Sequence, residues 1–135
     1  MTPLFKKLNL GAQRQLTVLN APASFEPELA ALLAQDPTLL LQREAHGPVP
    51  LRFALAFAIT QAELDAACRA LLPLAEGDAL IWIAYPKQSS KRLRGEFHRD
   101  SDWTLLRAAG FDTVRQVAID EDWSALRFRR QEYIG

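Results

Sequence analysis

"LRFALAFAITQAELDAACRALLPLAEGDALIWIAY", residues 51–85, holds two apolar runs separated by a capped amphipathic segment. "LRFALAFAI" (51–59) is almost continuously apolar, as expected for a strand buried on both faces of a parallel sheet. It leads into Thr60-Gln-Ala-Glu63, a capping box: the threonine oxygen accepts the Glu63 amide and the Glu63 carboxylate answers the Thr60 amide. Leu64, Ala67, Cys68, Leu71, Leu72 and Ala75 then keep the i, i+3, i+4 spacing of a core-facing helical stripe. Pro73 and Gly77 mark its end. "ALIWIAY" (79–85) is a second buried strand. Strand, helix and strand in this order make a parallel pair joined by a right-handed crossover.

The pattern continues in both directions. Upstream, "LTVLN" (16–20) is a short strand closed by the turn former Asn20-Ala-Pro22. "FEPELAALLA" (25–34) reads as a helix, with Pro27 in its first turn and Glu26 and Glu28 near the positive end of the macrodipole. Asp36-Pro37 stops it, "TLLLQ" (38–42) is another short strand, and "REAHGPVP" (43–50) is a loop. Residues 1–15 read as an N-terminal arm or a short helix. Downstream of Tyr85 a basic loop leads to Asp100 or Ser101, expected to cap "DWTLLRAA" (102–109) before Gly110 ends it. "TVRQVAID" and "WSALRFRR" flank a turn at Glu121-Asp122, and such close spacing forces an antiparallel hairpin. The expected fold is therefore α/β: a small single-domain Rossmann-like three-layer sandwich over residues 1–135, its sheet mostly parallel with a C-terminal antiparallel hairpin.

Composition narrows the function classes. The 135 residues suit one core. Sixteen basic and sixteen acidic residues cancel, so no global field draws the chain to nucleic acid or anionic lipid. A single cysteine excludes an internal disulfide framework, and with only two histidines a structural zinc site is not expected. There is no signal-peptide core and no stretch approaching the roughly 18 apolar residues of a membrane span. A cytoplasmic protein is expected.

The stretches "VLNAPASFEPEL", "LIWIAYPKQSSK", "EFHRDSDW", "GFDTVRQVAIDEDWSALRFRR" and the ending "EYI" resemble a family of small uncharacterised bacterial proteins of unknown function. The resemblance covers most of the chain, weakens between about residues 36 and 52, and implies a compact Rossmann-like domain without bringing an activity. More distantly, the order of elements from Leu51 onward is similar to the C-terminal part of class I S-adenosylmethionine-dependent methyltransferases, in architecture only.

The chemistry-bearing residues give no catalytic constellation. A nucleotide or adenosylmethionine cradle needs glycines after the first strand so that backbone can approach the ligand. The corresponding turn, Asn20-Ala-Pro-Ala-Ser24, has none, and Pro22 lacks an amide donor. No cofactor is expected on these grounds. His98 and Asp100, with distant His46, fall short of the three protein ligands of a catalytic zinc; no metal is expected. Cys68 lies on an apolar stripe, where a free cysteine is a small hydrophobe. Ser89 and Ser90 lack the glycine-flanked turn of a nucleophile elbow. Asp120, Glu121 and Asp122 are expected to pair across the hairpin with Arg115, Arg127 and Arg129. Trp82, Trp103 and Trp123 are expected in the core.

One stretch stands apart. Lys87, Lys91, Arg92, Arg94 and Arg99 face a single acid, Glu96, between residues 87 and 99. Ligands of open parallel sheets lie beyond the carboxyl ends of the strands, where Asn20, Thr60, Tyr85 and Lys87 are expected. The expected site is a crevice lined by Asn20, Thr60, Tyr85 and Lys87, with Ser89, Ser90, Lys91, Arg92 and Arg94 beside it. Its ligand would be an anionic small molecule or a protein partner, with nucleic acid and membrane not expected. A solvated connecting loop explains the same charges equally well. Two other classes stay open: a protein-interaction subunit using the free edge of the hairpin, and a diverged methyltransferase-like enzyme.

Overall fold

The computed structural model describes residues 1–45 and 50–135. Six strands form one sheet in the order β2-β1-β3-β4-β6-β5: β1 is Gln15–Leu19, β2 Leu40–Gln42, β3 Leu51–Phe57, β4 Ala75–Pro86, β5 Phe111–Ala118 and β6 Trp123–Arg130. Strands β1 to β4 pair in parallel, and the β5–β6 hairpin is added antiparallel to β4. The α-helices among the described residues are α1 (Pro3–Lys7), α2 (Glu26–Gln35), α3 (Gln61–Leu71) and α4 (Thr104–Ala108). The result is a mixed α/β single domain of Rossmann-like type, as the alternation of elements implies.

Two apolar clusters fill the spaces on either side of the sheet. Phe5, Leu8, Leu29 and Leu32 pack with Phe53, Leu55, Phe57 and Trp82 on one face. Leu64, Ala67, Cys68, Leu71 and Leu106 pack with Ala54, Ile81, Ile83 and Phe128 on the other. Alternate residues of β3 and β4 point to opposite faces. Both faces are covered, which is why these strands are apolar at nearly every position.

The Thr60 capping box forms with both of its bonds: Thr60 Oγ1 accepts from Glu63 N at 3.1 Å, and Thr60 N donates to Glu63 Oε1 at 2.9 Å. Glu63 also accepts from Ile59 N at 3.0 Å, and these backbone donors hold its carboxyl below the usual range.

Four local expectations are corrected. Of the two readings of residues 1–15, the short helix forms, as α1, and the arm does not; Phe5, Leu8 and Leu10 are fully buried, and Trp82 Nε1 donates to the Leu8 carbonyl at 2.9 Å. The unfilled sheet face beside Phe53 and Trp82 draws this short apolar segment inward. Gly77 does not stop α3, which ends at Leu71 with Pro73 in a following 3-10 turn. Gly77 lies in β4 with φ +58, where the β3 register jumps from Leu51↔Ala75 to Phe53↔Leu80; glycine tolerates that left-handed backbone at the irregularity. Neither Asp100 nor Ser101 caps α4. Its N-cap is Trp103, itself left-handed at φ 52 with no side-chain cap bond. Trp103 is buried at 3% exposure, donates Nε1 to the Arg99 carbonyl, and stacks edge-on against Tyr85, Phe97 and Phe128. Aromatic burial decides the backbone there, against local capping preference.

The fourth correction concerns the hairpin charges. Asp122 pairs with Arg92 of the basic loop, and Arg129 pairs with Asp78. Asp120 Oδ1 accepts the Asp122 and Trp123 amides and so shapes the turn.

Candidate functional site

Tyr85, near the end of β4, lies directly opposite Ser124 of β6. Gln116 of β5 is opposite Leu126, and strand alternation puts all three polar side chains on the α3 side. Gln116 Nε2 donates to Tyr85 Oη at 3.2 Å and to Ser124 Oγ at 3.0 Å. These groups belong to a cleft of about 510 Å³ that Lys87, Ser89, His98 and Arg99 also line. Burial raises the Tyr85 phenol above its ordinary value, against the opposing field of Arg99, so at neutral pH it is an uncharged donor. Lys87 and Arg99 make no ion pair and no side-chain hydrogen bond among the described residues.

A second cavity of about 270 Å³ adjoins this cleft and shares Lys87, Gln88 and His98 with it; Arg94 and Phe97 line its far side. Gly95 belongs there because an added Cβ would stand 3.2 Å from both Pro86 Cδ and the Phe97 carbonyl oxygen.

The loop that builds these walls is fastened through four residues. Lys87 N donates to the Asp122 carbonyl at 2.8 Å. Buried Ser90 donates Oγ–H to Asp122 Oδ1 at 2.8 Å while accepting from the amides of Arg92 and Leu93. Arg92 donates to Asp122 Oδ2 through both Nε and Nη2. Further on, Glu96 N donates to the Ile59 carbonyl, and Glu96 Oε1 accepts from Gln61 N.

The expected site residues therefore separate. Tyr85, Lys87 and Ser89 meet in one cleft, and Arg94 borders the adjoining cavity. Ser90 and Arg92 are bonded to Asp122. Lys91 is exposed. Thr60 has its hydroxyl in the α3 cap. Asn20, exposed and left-handed at φ 58, closes β1 two strands from β4. Neither Asn20 nor Thr60 lines the cleft. The residues not anticipated there are Gln88, His98, Arg99, Asp100, Gln116 and Ser124. The hairpin register pairs Ser124 with Ala118, and only the non-local β4–β6 register sets it opposite Tyr85; nothing local marks Gln116.

His98 Nδ1 accepts the Asp100 amide at 3.1 Å, a bond within the loop. Among the described residues no group of three or more His, Cys, Asp and Glu could hold a metal ion; His46 lies outside the described residues. No described helix is long and apolar enough to cross a membrane.

No protein-family model and no curated protein matches the chain. Solved structures do. A methyltransferase dependent on S-adenosylmethionine from Aquifex aeolicus superposes with a TM-score of 0.57 at 15% identity, covering 93% of this chain and 87% of that one. The N-methyltransferase NodS from Bradyrhizobium japonicum gives 0.56 at 13%, covering 94% and 92%. Magnesium protoporphyrin IX methyltransferase from Synechocystis, solved with bound S-adenosylhomocysteine, gives 0.55 at 11%, covering 95% and 78%. The fold is that of the S-adenosylmethionine-dependent methyltransferases. The likeness spans almost the whole chain, well beyond the part that starts at Leu51.

The turn after β1 does not fit a glycine cradle for that cofactor. Ala23–Phe25 is a 3-10 turn whose Phe25 amide donates to the Pro22 carbonyl, and Phe25 is buried. Every position from Asn20 to Phe25 carries a Cβ, and Pro22 offers no N–H. The start of α3 is taken by Glu96. No methyl-transfer step follows from residues so arranged.

Proposed function

We propose that this chain is a binding protein that holds a small anionic molecule in the cleft over Tyr85. One arrangement carries the proposal: the polar floor of Tyr85, Gln116 and Ser124 shares its cleft with Lys87 and Arg99, neither of them ion-paired among the described residues. A carboxylate or phosphate entering there exchanges hydration for charge-assisted bonds from the two cations. A hydroxyl or carbonyl elsewhere on the ligand meets the floor. Ser89 contributes a further hydroxyl, and Lys91 and Arg94 add positive potential from the same loop. Ser90 and Arg92 serve this site by holding the loop on Asp122.

Calorimetry and thermal-shift screening with phosphates, nucleotides and acidic metabolites at low salt test the proposal. Saturable binding is expected, weakened about tenfold or more by Lys87→Ala or Arg99→Ala, with the melting temperature of the free protein almost unchanged. A panel that produces neither heat nor shift sinks it.

A diverged methyltransferase-like enzyme is the second reading, supported by the fold likeness over more than nine-tenths of the chain. It requires a cofactor held without the glycine turn. Absence of calorimetric binding for both S-adenosylmethionine and S-adenosylhomocysteine removes it. A third use, pairing of a protein partner along the free edge of β5, is favoured by exposed Val114 on that edge strand. A strictly monomeric protein whose β5 amides exchange freely in the native host extract has no such partner.

A further inference from the structure

On the α1 side of the hairpin, Arg127 of β6 lies between Trp82 of β4 and Arg115 of β5. Two like charges directly opposite on antiparallel strands repel. The acid that acts on Arg127, Asp78, has both carboxylate oxygens bonded to Arg129, at 2.8 and 2.6 Å. Arg127 and Arg115 thus make no ion pair among the described residues. Arg127 Nε is sealed from solvent without a hydrogen-bond partner, while its terminal nitrogens are not sealed. Burial and the neighbouring Arg129 hold its guanidinium pKa below the ordinary value. Lys6 and Lys7 stand in the last turn of α1, whose following residue, Leu8, is bonded to Trp82.

We infer that Arg115 and Arg127 form a second anion site, separate from the Tyr85 cleft, that takes a phosphoryl group. The opposed guanidiniums suit a tetrahedral anion, because its several oxygens accept from both forks at once, whereas one carboxylate matches a single fork. Binding would remove the repulsion across the strands.

The test reads the arginine side chains directly. In 15N–1H spectra of the full chain, the Nε–Hε resonances of Arg127 and Arg115 are followed during titration with inorganic pyrophosphate and, separately, with a short single-stranded oligoribonucleotide. The expected result is a saturable shift of both resonances with at least one probe, unchanged in a Lys87→Ala/Arg99→Ala variant, with the Arg127 response weakened about tenfold in Arg115→Gln. Response to pyrophosphate assigns a small phosphorylated ligand; response to the oligonucleotide alone assigns a polynucleotide backbone. Arg115 is exposed on an edge strand, so its replacement leaves the core intact. Resonances that stay still with both probes or drift without saturating, or an Arg127 resonance that responds equally in Arg115→Gln, overturn the inference. Loss of the shift in the Lys87→Ala/Arg99→Ala variant also overturns it, by returning the anion to the Tyr85 cleft.

Discussion

The carboxylate of Glu96 accepts the backbone N–H of Gln61, the first residue of α3, at 2.8 Å and across 35 residues of sequence. The Glu96 amide donates to the Ile59 carbonyl at the same distance. A negative charge at a helix N-terminus is favourable, and such a terminus otherwise attracts anions. Here the loop after β4 supplies that charge itself. Glu96→Gln keeps the shape and removes the charge, and is expected to destabilise by about 0.5–1 kcal/mol in urea denaturation. An unchanged midpoint would mean that the contact contributes nothing beyond geometry.

Asp122 joins hairpin and loop. The Arg92 guanidinium, followed by the Ser90 hydroxyl, holds its carboxyl below the ordinary carboxylate range. A group whose folded pKa is depressed contributes stability that is present above its unfolded value, about 3.9, and lost as pH falls through the folded value. Asp122→Asn is therefore expected to melt earlier than wild type near neutral pH, the gap closing as the medium is acidified below about pH 4. Melting curves over that range decide it; a gap constant with pH would remove the ion pair from the account.

The N-terminal segment is core. Phe5 is 0% exposed and packs against Phe25 and Phe53. Phe5→Ala is expected to cost about 3–5 kcal/mol. Trp82→Phe is expected to cost about 1–3 kcal/mol, because the Leu8 carbonyl loses its donor. Urea titration measures both, and a loss below about 1 kcal/mol for Phe5→Ala would restore the picture of a detached arm.

Cys68 is 2% exposed, and burial, with Asp65 adding to it, pushes its thiol up to about 11. At neutral pH only about one part in ten thousand is thiolate. Iodoacetamide is expected to leave the folded protein unmodified and to label it fully in denaturant. Rapid labelling of the native chain would contradict this.

Much of the molecule was legible from neighbouring residues. Thr60 and Glu63 are three positions apart and meet in one helical turn. The runs at 51–59 and 79–85 declared strands covered on both faces, and the short turn at 121–122 left the hairpin no alternative. Each of these signals is complete within a few residues, so backbone geometry reads it without reference to the remaining chain.

The site was legible only in outline. The basic excess after Tyr85 marked the loop that follows β4, but not which of its cations pair among the described residues. Arg92 and Lys87 look alike in sequence; the fold brings Asp122 to Arg92 and leaves Lys87 in the cleft. Ser124 and Gln116 enter through strand register, and Trp103 takes the α4 cap because the aromatic cluster holds its ring. Sequence alone determined the elements and their order, since periodicity, caps and turns are local. Tertiary structure alone decided which charges pair and which remain open, because that depends on contacts between residues 30 and more positions apart.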